Sequence, residues 1–202
     1  MPQAPDREQP GPAPSPEPGH HTLQPARPHS APAGSALAWS LAAASEALRR
    51  LAAAADTPQA VAAATEAVWW ITTADAALNR DHPRPYGRTA AALDPAVRRA
   101  VERSLAGFRF IRSQLGYHAD PADFIQAQAR PGSNRSPAAW TWNQLPPPSQ
   151  QRGSTREASP YREYRVQLAG RPLPEALKLT ARFLTQAHIA ATQPGSTPAP
   201  PR

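Results

Sequence analysis

The sequence contains no cysteine among its 202 residues, and only one of its 22 basic residues, Lys178, is a lysine. The absence of cysteine excludes disulfide scaffolds, thiolate zinc sites and cysteine nucleophiles. No apolar run approaches the ~18 residues that a membrane-spanning helix needs. The first 30 residues lack the charged and apolar regions of a signal peptide, and no glycine-rich phosphate loop is present. These absences predict a cytoplasmic protein with no membrane segment, no cofactor and no metal site.

Proline, by contrast, is abundant and clustered, with 27 residues in the chain. The clusters fall at 2–32, 121–160 and 194–201, where large apolar residues are scarce. Such composition is typical of segments that cannot bury enough apolar surface to order themselves. It predicts a disordered N-terminal arm over 1–34, a helical domain over 35–190 and a disordered tail over 191–202. Within the domain, 119–158 is predicted to be a long connection between helices.

Apolar residues recur at spacings of three and four through most of the remaining sequence, as on one face of a helix. The pattern predicts helices over 35–55, 57–79, 95–115, 160–169 and 174–189. Residues 80–93 are predicted to form a loop, because Pro83, Pro85 and Gly87 interrupt them. No strand is predicted. The expected fold class is therefore all-α, a bundle of four to five helices.

Tryptophans mark two places where the chain is expected to meet this bundle. Trp140 and Trp142 lie in the long connection and are predicted to dock onto the helices on either side of Thr141. Trp69 and Trp70 widen the apolar face of the second helix, so at least one of them should be buried.

Two charged residues interrupt otherwise apolar helical faces. Asp75 occupies a position in the stripe of the second helix, and Arg112 does so in the stripe of the third. A buried arginine–carboxylate pair can fix the register of two helices, so one interpretation pairs Arg112 with Asp75. This interpretation is compatible with catalysis, because a carboxylate behind an arginine would orient it.

The segment 112–118 (RSQLGYH) places a histidine six residues after this arginine. Histidine transfers protons near neutral pH, and arginine presents a fixed fork of donors to phosphate oxygens. The pair Arg112 and His118 therefore suits RNA cleavage by the 2′-hydroxyl, which needs a base and positive charge at the phosphate. Arg182 and His188 show the same spacing, but an apolar phenylalanine follows that arginine.

The segment resembles the motif of the HEPN family, small all-α proteins of which many are ribonucleases of toxin–antitoxin and phage-defence systems. In that motif a polar residue usually follows the arginine, and the histidine comes after four to six intervening residues. The family often has Asn or Asp where this chain has Ser113. The resemblance implies a metal-independent ribonuclease with Arg112 and His118 as catalytic residues. Asp75, Ser113 and Tyr117 are the candidate supporting residues.

Helix geometry adds an expectation about assembly. On an ideal helix Arg112 and His118 would point about 120° apart, so one helix cannot aim both at one phosphate. A symmetric homodimer would bring two such helices to a shared groove, as the family does. RNA and a second copy of the chain are thus the expected partners. The net charge of +7 agrees with phosphate affinity but also with GC-rich coding.

A second reading of the same residues requires no catalysis. His118 can be a polar helix terminus, and the proline-rich arms and the tryptophan-bearing connection suit docking of another protein. In this reading the chain is a helical protein–protein interaction module or regulator.

Overall fold

The computed structural model describes residues 33–115, 120–128, 139–145 and 158–193, which belong to one compact unit. Helices account for most of these residues, so the predicted all-α class is confirmed. The helices are α1 Ala33–Ala53, α2 Thr57–Asp81, α3 Pro83–Ala91, α4 Pro95–Leu115, α5 Ala158–Gln167 and α6 Leu173–Thr192. A short 3-10 helix, Pro121–Phe124, precedes two strands, β1 Ile125–Gln128 and β2 Ala139–Trp142. Nearly all of the predicted arms lie outside the described residues.

Local signals set the starts of two helices. The side chain of Asp94 accepts a hydrogen bond from the backbone N–H of Ala96 at 2.8 Å, which confirms the predicted start of α4. At α2 the cap is Asp56, whose carboxylate accepts from the backbone N–H of Gln59 at 2.9 Å. The helix begins at Thr57, as the sequence predicts.

The core is built from two kinds of contact. α1 packs against α2 through small side chains that let the two backbones approach closely, namely Ala44, Ala47, Ala60, Ala63, Ala64 and Ala67. α4 packs against α5, and α6 contacts α1, α2, α3 and α4 through large side chains. The largest fully buried residues include Trp142, Tyr164, Phe108, Leu177 and Leu184. Among the described residues, no helix is both long and apolar enough to cross a membrane.

Residues 83–91 form a helix where the sequence predicted a loop. Both prolines, Pro83 and Pro85, lie in the first turn of α3, where no helical hydrogen bond requires their missing N–H groups. Tyr86 packs edge to face on Phe183 of α6, with ring centroids 5.1 Å apart. Tertiary packing therefore stabilises a helix that its own sequence does not favour.

The predicted connection 119–158 contains a small sheet that the sequence analysis missed. β1 and β2 pair antiparallel, with Ile125 opposite Trp142. Trp142 and Trp140 are 1% and 7% exposed, which confirms that they dock onto the bundle. The turn between α5 and α6 joins the sheet, since Gly170 N–H donates to the carbonyl of Trp142 and Trp142 N–H to that of Arg171. Strands of four residues are too short to show an alternating pattern.

Candidate functional site

Arg112 lies in the last turn of α4, and its guanidinium lies against α2. Its Nη1 donates hydrogen bonds to Thr72 Oγ1 at 3.0 Å and to Thr73 Oγ1 at 3.2 Å. Each hydroxyl is itself held, because Thr72 donates to the carbonyl of Val68 and Thr73 to that of Trp69, both at 2.8 Å. The two threonines therefore orient the guanidinium before any ligand binds.

The indole of Trp69 is a further support for this arginine. The Cζ atom of Arg112 lies 4.1 Å from the centroid of the Trp69 ring, within the range of cation–π attraction. Trp69 precedes Thr72 and Thr73 by three and four residues, so the ring and the two hydroxyls share one face of α2. Trp69 is nevertheless 47% exposed.

The positive charge of Arg112 has no carboxylate partner among the described residues. The arginines that form ion pairs there are Arg49, Arg50, Arg80, Arg103 and Arg109. The Nε and Nη2 donors of Arg112 likewise have no hydrogen-bond partner in the described part of the chain. A guanidinium that is oriented but not neutralised can donate hydrogen bonds to two oxygens of a phosphate or carboxylate.

A cavity of about 290 Å³, here called the arginine pocket, lies beside this guanidinium. It is lined by residues of α1 and α2 and by Arg112, with Ser40, Thr73, Arg80 and Asp81 as its other polar side chains. Arg80 holds Asp81 through two hydrogen bonds of 2.8 and 2.9 Å, and this contact lowers the pKa of the Asp81 carboxyl. The carboxylate in the pocket is thus already paired, which leaves the charge of Arg112 unopposed.

A second concavity, here called the tryptophan groove, is lined in part by Trp69. It has a volume of about 570 Å³ and is lined mainly by carbon, with Pro58, Val61, Trp69, Trp70 and Pro121 among its walls. Trp70 packs edge to face on Trp39 of α1, with ring centroids 4.5 Å apart. Trp69 therefore belongs both to the groove and to the support of Arg112.

The exposure of these rings departs from the sequence-based expectation. At least one of Trp69 and Trp70 was expected to be buried, but Trp70 is only half-buried. Trp39 is 60% exposed and was not singled out by the sequence analysis. Its position between Leu37 and Leu41, off the apolar stripe of α1, was the available sign that it faces outward.

Asp75 is the buried carboxylate that the sequence predicted, but its partner is not Arg112. Asp75 is 1% exposed and forms an ion pair with Arg109, one turn earlier on α4. It also accepts a hydrogen bond of 2.8 Å from the Tyr86 hydroxyl. Burial and the neighbouring Asp75 charge raise the pKa of that hydroxyl. The predicted pairing of Arg112 with Asp75 is therefore wrong, because the two helices meet one turn away from the expected register.

The other predicted site residues divide into two groups. Ser113 is exposed, and its hydroxyl donates to the carbonyl of Phe110 at 2.7 Å, which ties it to its own helix. Tyr117 and His118 lie outside the described residues. The proximity of Arg112 to His118 at one site therefore stays a prediction. The threonines that hold Arg112 were missed, although their spacing after Trp69 was visible.

The alternative arginine–histidine pair lies on α6. Arg182 is exposed, whereas His188 is half-buried. The pKa of His188 is lowered, first by burial and then by the charge of His82. His188 Nδ1 is buried without a hydrogen-bond partner among the described residues. These features indicate that His188 has a packing role. Arg182 has no hydrogen bonds among the described residues that would orient its guanidinium as Thr72 and Thr73 orient that of Arg112.

Two further observations bear on function. The described residues contain no group of three or more His, Asp or Glu side chains positioned for a metal ion. Comparison with protein-family models, with curated proteins and with solved structures gives no significant match to this chain. What the surface around Arg112 can do is therefore inferred from its own residues.

Proposed function

We propose that this chain is a metal-independent ribonuclease of the HEPN type that acts as a homodimer in the cytoplasm, within a toxin–antitoxin or phage-defence system. The observation that carries the proposal is the guanidinium of Arg112, which is oriented by Thr72, Thr73 and Trp69 and lacks a carboxylate partner among the described residues. An arginine used only for packing would gain more from a carboxylate, as Arg109 does with Asp75.

In the proposed reaction the 2′-oxygen of a ribose attacks the adjacent phosphorus. The bond from the 2′-oxygen to phosphorus forms and the bond from phosphorus to the 5′-oxygen breaks, leaving a 2′,3′-cyclic phosphate and a 5′-hydroxyl. Arg112 would neutralise the charge that builds on the non-bridging oxygens. His118 would take the 2′ proton or deliver one to the leaving oxygen. A second copy of the chain would supply the complementary pair of side chains.

The test is incubation of the purified full chain with total RNA, with and without EDTA. Wild-type protein should cleave RNA in both conditions. Arg112→Ala and His118→Ala should each lower cleavage by at least about 100-fold, the usual scale for losing a catalytic acid, base or oxyanion donor. Arg99→Ala is the matched control, because Arg99 is an exposed arginine of the same helix and forms no ion pair among the described residues. Equal cleavage by all four proteins would refute the assignment.

The second candidate function is a non-catalytic protein-interaction module. The exposed rings of Trp39 and Trp69 beside an apolar groove favour it, because exposed aromatic patches are typical of interfaces. Under this alternative the wild-type chain leaves RNA intact, whereas Trp39→Ala and Trp69→Ala alter its self-association in sedimentation velocity. RNA cleavage that depends on Arg112 would reject it.

A further inference from the structure

We propose that Trp69 stacks an unpaired nucleobase of single-stranded RNA in the tryptophan groove, next to the phosphate that Arg112 binds. This inference rests on the proposed ribonuclease function and names the form of RNA and the side chain that selects it. The observation that carries it is that the indole of Trp69 both contacts the guanidinium of Arg112 and lines the tryptophan groove.

The two halves of this site have the chemistry of a nucleotide. A nucleotide joins an anionic phosphate to a flat aromatic base through a sugar, so its binding site needs a cation beside an aromatic surface. Arg112 and Trp69 provide these groups in direct contact, 4.1 Å apart. A base–aromatic stack needs only a π face, and it is strengthened by a neighbouring arginine.

The groove has suitable size and polarity for a base. Its volume of about 570 Å³ lies within the range of small-ligand pockets, and its walls are mostly carbon. Thr65 and Glu66 also line it and offer polar atoms for the edge of a base. Glu66 is ion-paired with Arg50, so its negative charge is already compensated and repels a phosphate less.

The same geometry favours single strands over duplexes. In an RNA helix both faces of each base are stacked on neighbours, so no base face is free to lie on an indole. A base in a loop or at an end can leave its neighbours and lie on Trp69. Trp39, which is 60% exposed and packs on Trp70, extends the aromatic surface for a neighbouring base.

The experiment measures binding of a labelled 2′-O-methyl hexanucleotide to the full chain by fluorescence anisotropy. This probe lacks the attacking hydroxyl, so wild-type protein can be used without cleavage. Trp69→Leu should weaken binding by about 5- to 100-fold, the range for losing one base–aromatic stack. Trp69→Phe should recover part of the loss because it keeps a ring. Ile189→Ala, at a residue of α6 that is 50% exposed, is the control and should bind like wild type.

A hexamer with abasic sugars separates stacking from support of Arg112. If Trp69 stacks a base, the loss of affinity caused by Trp69→Leu should be clearly smaller on the abasic strand, where only the support of Arg112 remains to be lost. An equal loss on both strands would mean that Trp69 acts only through Arg112, and the proposal would be wrong. A hexamer held in a duplex should bind at least about 5-fold more weakly than the single strand, since it offers no free base.

The outcomes also separate this inference from the proposed function. Binding that depends on Arg112 but not on Trp69 overturns the stacking site and leaves the ribonuclease. Binding that depends on Trp69 by a chain that never cleaves RNA overturns the ribonuclease and keeps the stacking site. No binding by wild type overturns both. A Trp69→Leu variant that binds the hexamer normally but sediments differently assigns the groove to a protein interface. Urea midpoints close to wild type show that each variant is folded.

Discussion

Arg109 and Arg112 lie one turn apart on α4, yet their surroundings differ completely. Arg109 reaches the buried Asp75, whereas Arg112 is held by neutral hydroxyls and an indole and has no carboxylate partner in the described part of the chain. The sequence could predict that Asp75 takes an arginine, because a carboxylate on an apolar face needs a partner. It could not predict which arginine, because that depends on how far α2 slides along α4, and periodicity within each helix does not contain this offset.

Loss of the Asp75 carboxylate should destabilise the protein. Asp75→Ala leaves the Tyr86 hydroxyl without its acceptor, while the half-exposed Arg109 can turn to water. We expect a loss of about 2 kcal/mol in the free energy of unfolding, as for hydrogen bonds to charged groups. Urea denaturation measures it. The control is Asp81→Ala, whose exposed pair with Arg80 should leave the urea midpoint unchanged. Equal midpoints for wild type and Asp75→Ala would contradict the role given to this carboxylate.

His188 should make stability depend on pH. Burial and the charge of His82 lower its pKa in the folded state below the unfolded value of about 6.5. The unfolded state therefore binds more protons, and stability falls as pH drops below about 6.5. Urea midpoints at pH 8 and pH 5 should show a larger acid loss for wild type than for His188→Gln. The difference should shrink in a His82→Gln background. A pH-independent difference between wild type and His188→Gln would refute this account.

At the scale of elements, the four long helices and the short helix α5 were predictable, whereas α3 and the two strands were not. α1, α2, α4 and α6 are each more than five turns long, and their bounds differ from expectation by at most three residues at either end. α3 and the two strands are too short for periodicity. They are stabilised by contacts with other elements, since Tyr86 packs on Phe183 and Trp140 and Trp142 are buried. Such sites arise from residues distant in sequence, which local patterns do not reveal.

Two glycines in helices should respond oppositely to substitution by alanine. A Cβ at Gly107 of α4 would lie 2.7 Å from Leu168 Cδ1 and 3.3 Å from the backbone Cα of Tyr164. Gly107→Ala should therefore lower the free energy of unfolding by about 1–3 kcal/mol, despite the better helix propensity of alanine. Gly87 of α3 has nothing within 4 Å of a Cβ, so Gly87→Ala should raise stability by about 0.5–1 kcal/mol. Thermal unfolding compares the two variants, and a stabilised Gly107→Ala would contradict the tight contact between α4 and α5.

At the scale of the whole molecule, the basic composition predicts binding of polyanions in general, whereas the structure predicts where on the surface they bind. The net charge of +7 favours binding of polyanions anywhere on the surface. Only the structure shows where, among the residues it describes, an arginine without an ion-pair partner lies beside exposed aromatic rings. The sequence predicted Arg112 as a site residue, but the exposure of Trp39 and Trp69 depends on how α1 and α2 pack, which the sequence analysis did not resolve.

The salt dependence of RNA binding should therefore distinguish the phosphate contact of Arg112 from the general attraction of the basic surface. The logarithm of the binding constant should fall linearly with the logarithm of salt concentration, because each neutralised phosphate releases counterions. Arg112→Ala should reduce the magnitude of that slope by about 0.7, the contribution of one phosphate contact on a single strand. Arg99→Ala should leave the slope unchanged. A slope that is equal in wild type and Arg112→Ala would mean that Arg112 contacts no phosphate.

β2 is hydrogen-bonded to the turn before α6, so a fragment that can fold must extend at least as far as α6. A fragment ending with α4 would retain four of the described helices but lose Trp142, Tyr164 and Leu177, which are almost completely buried. Phe108, whose ring centroid lies 5.9 Å from that of Trp142, would then face water. Truncation for crystallisation or for mapping of activity should therefore keep the chain through α6, because Trp140 and Trp142, which lie between α4 and α5 in the sequence, are part of the core.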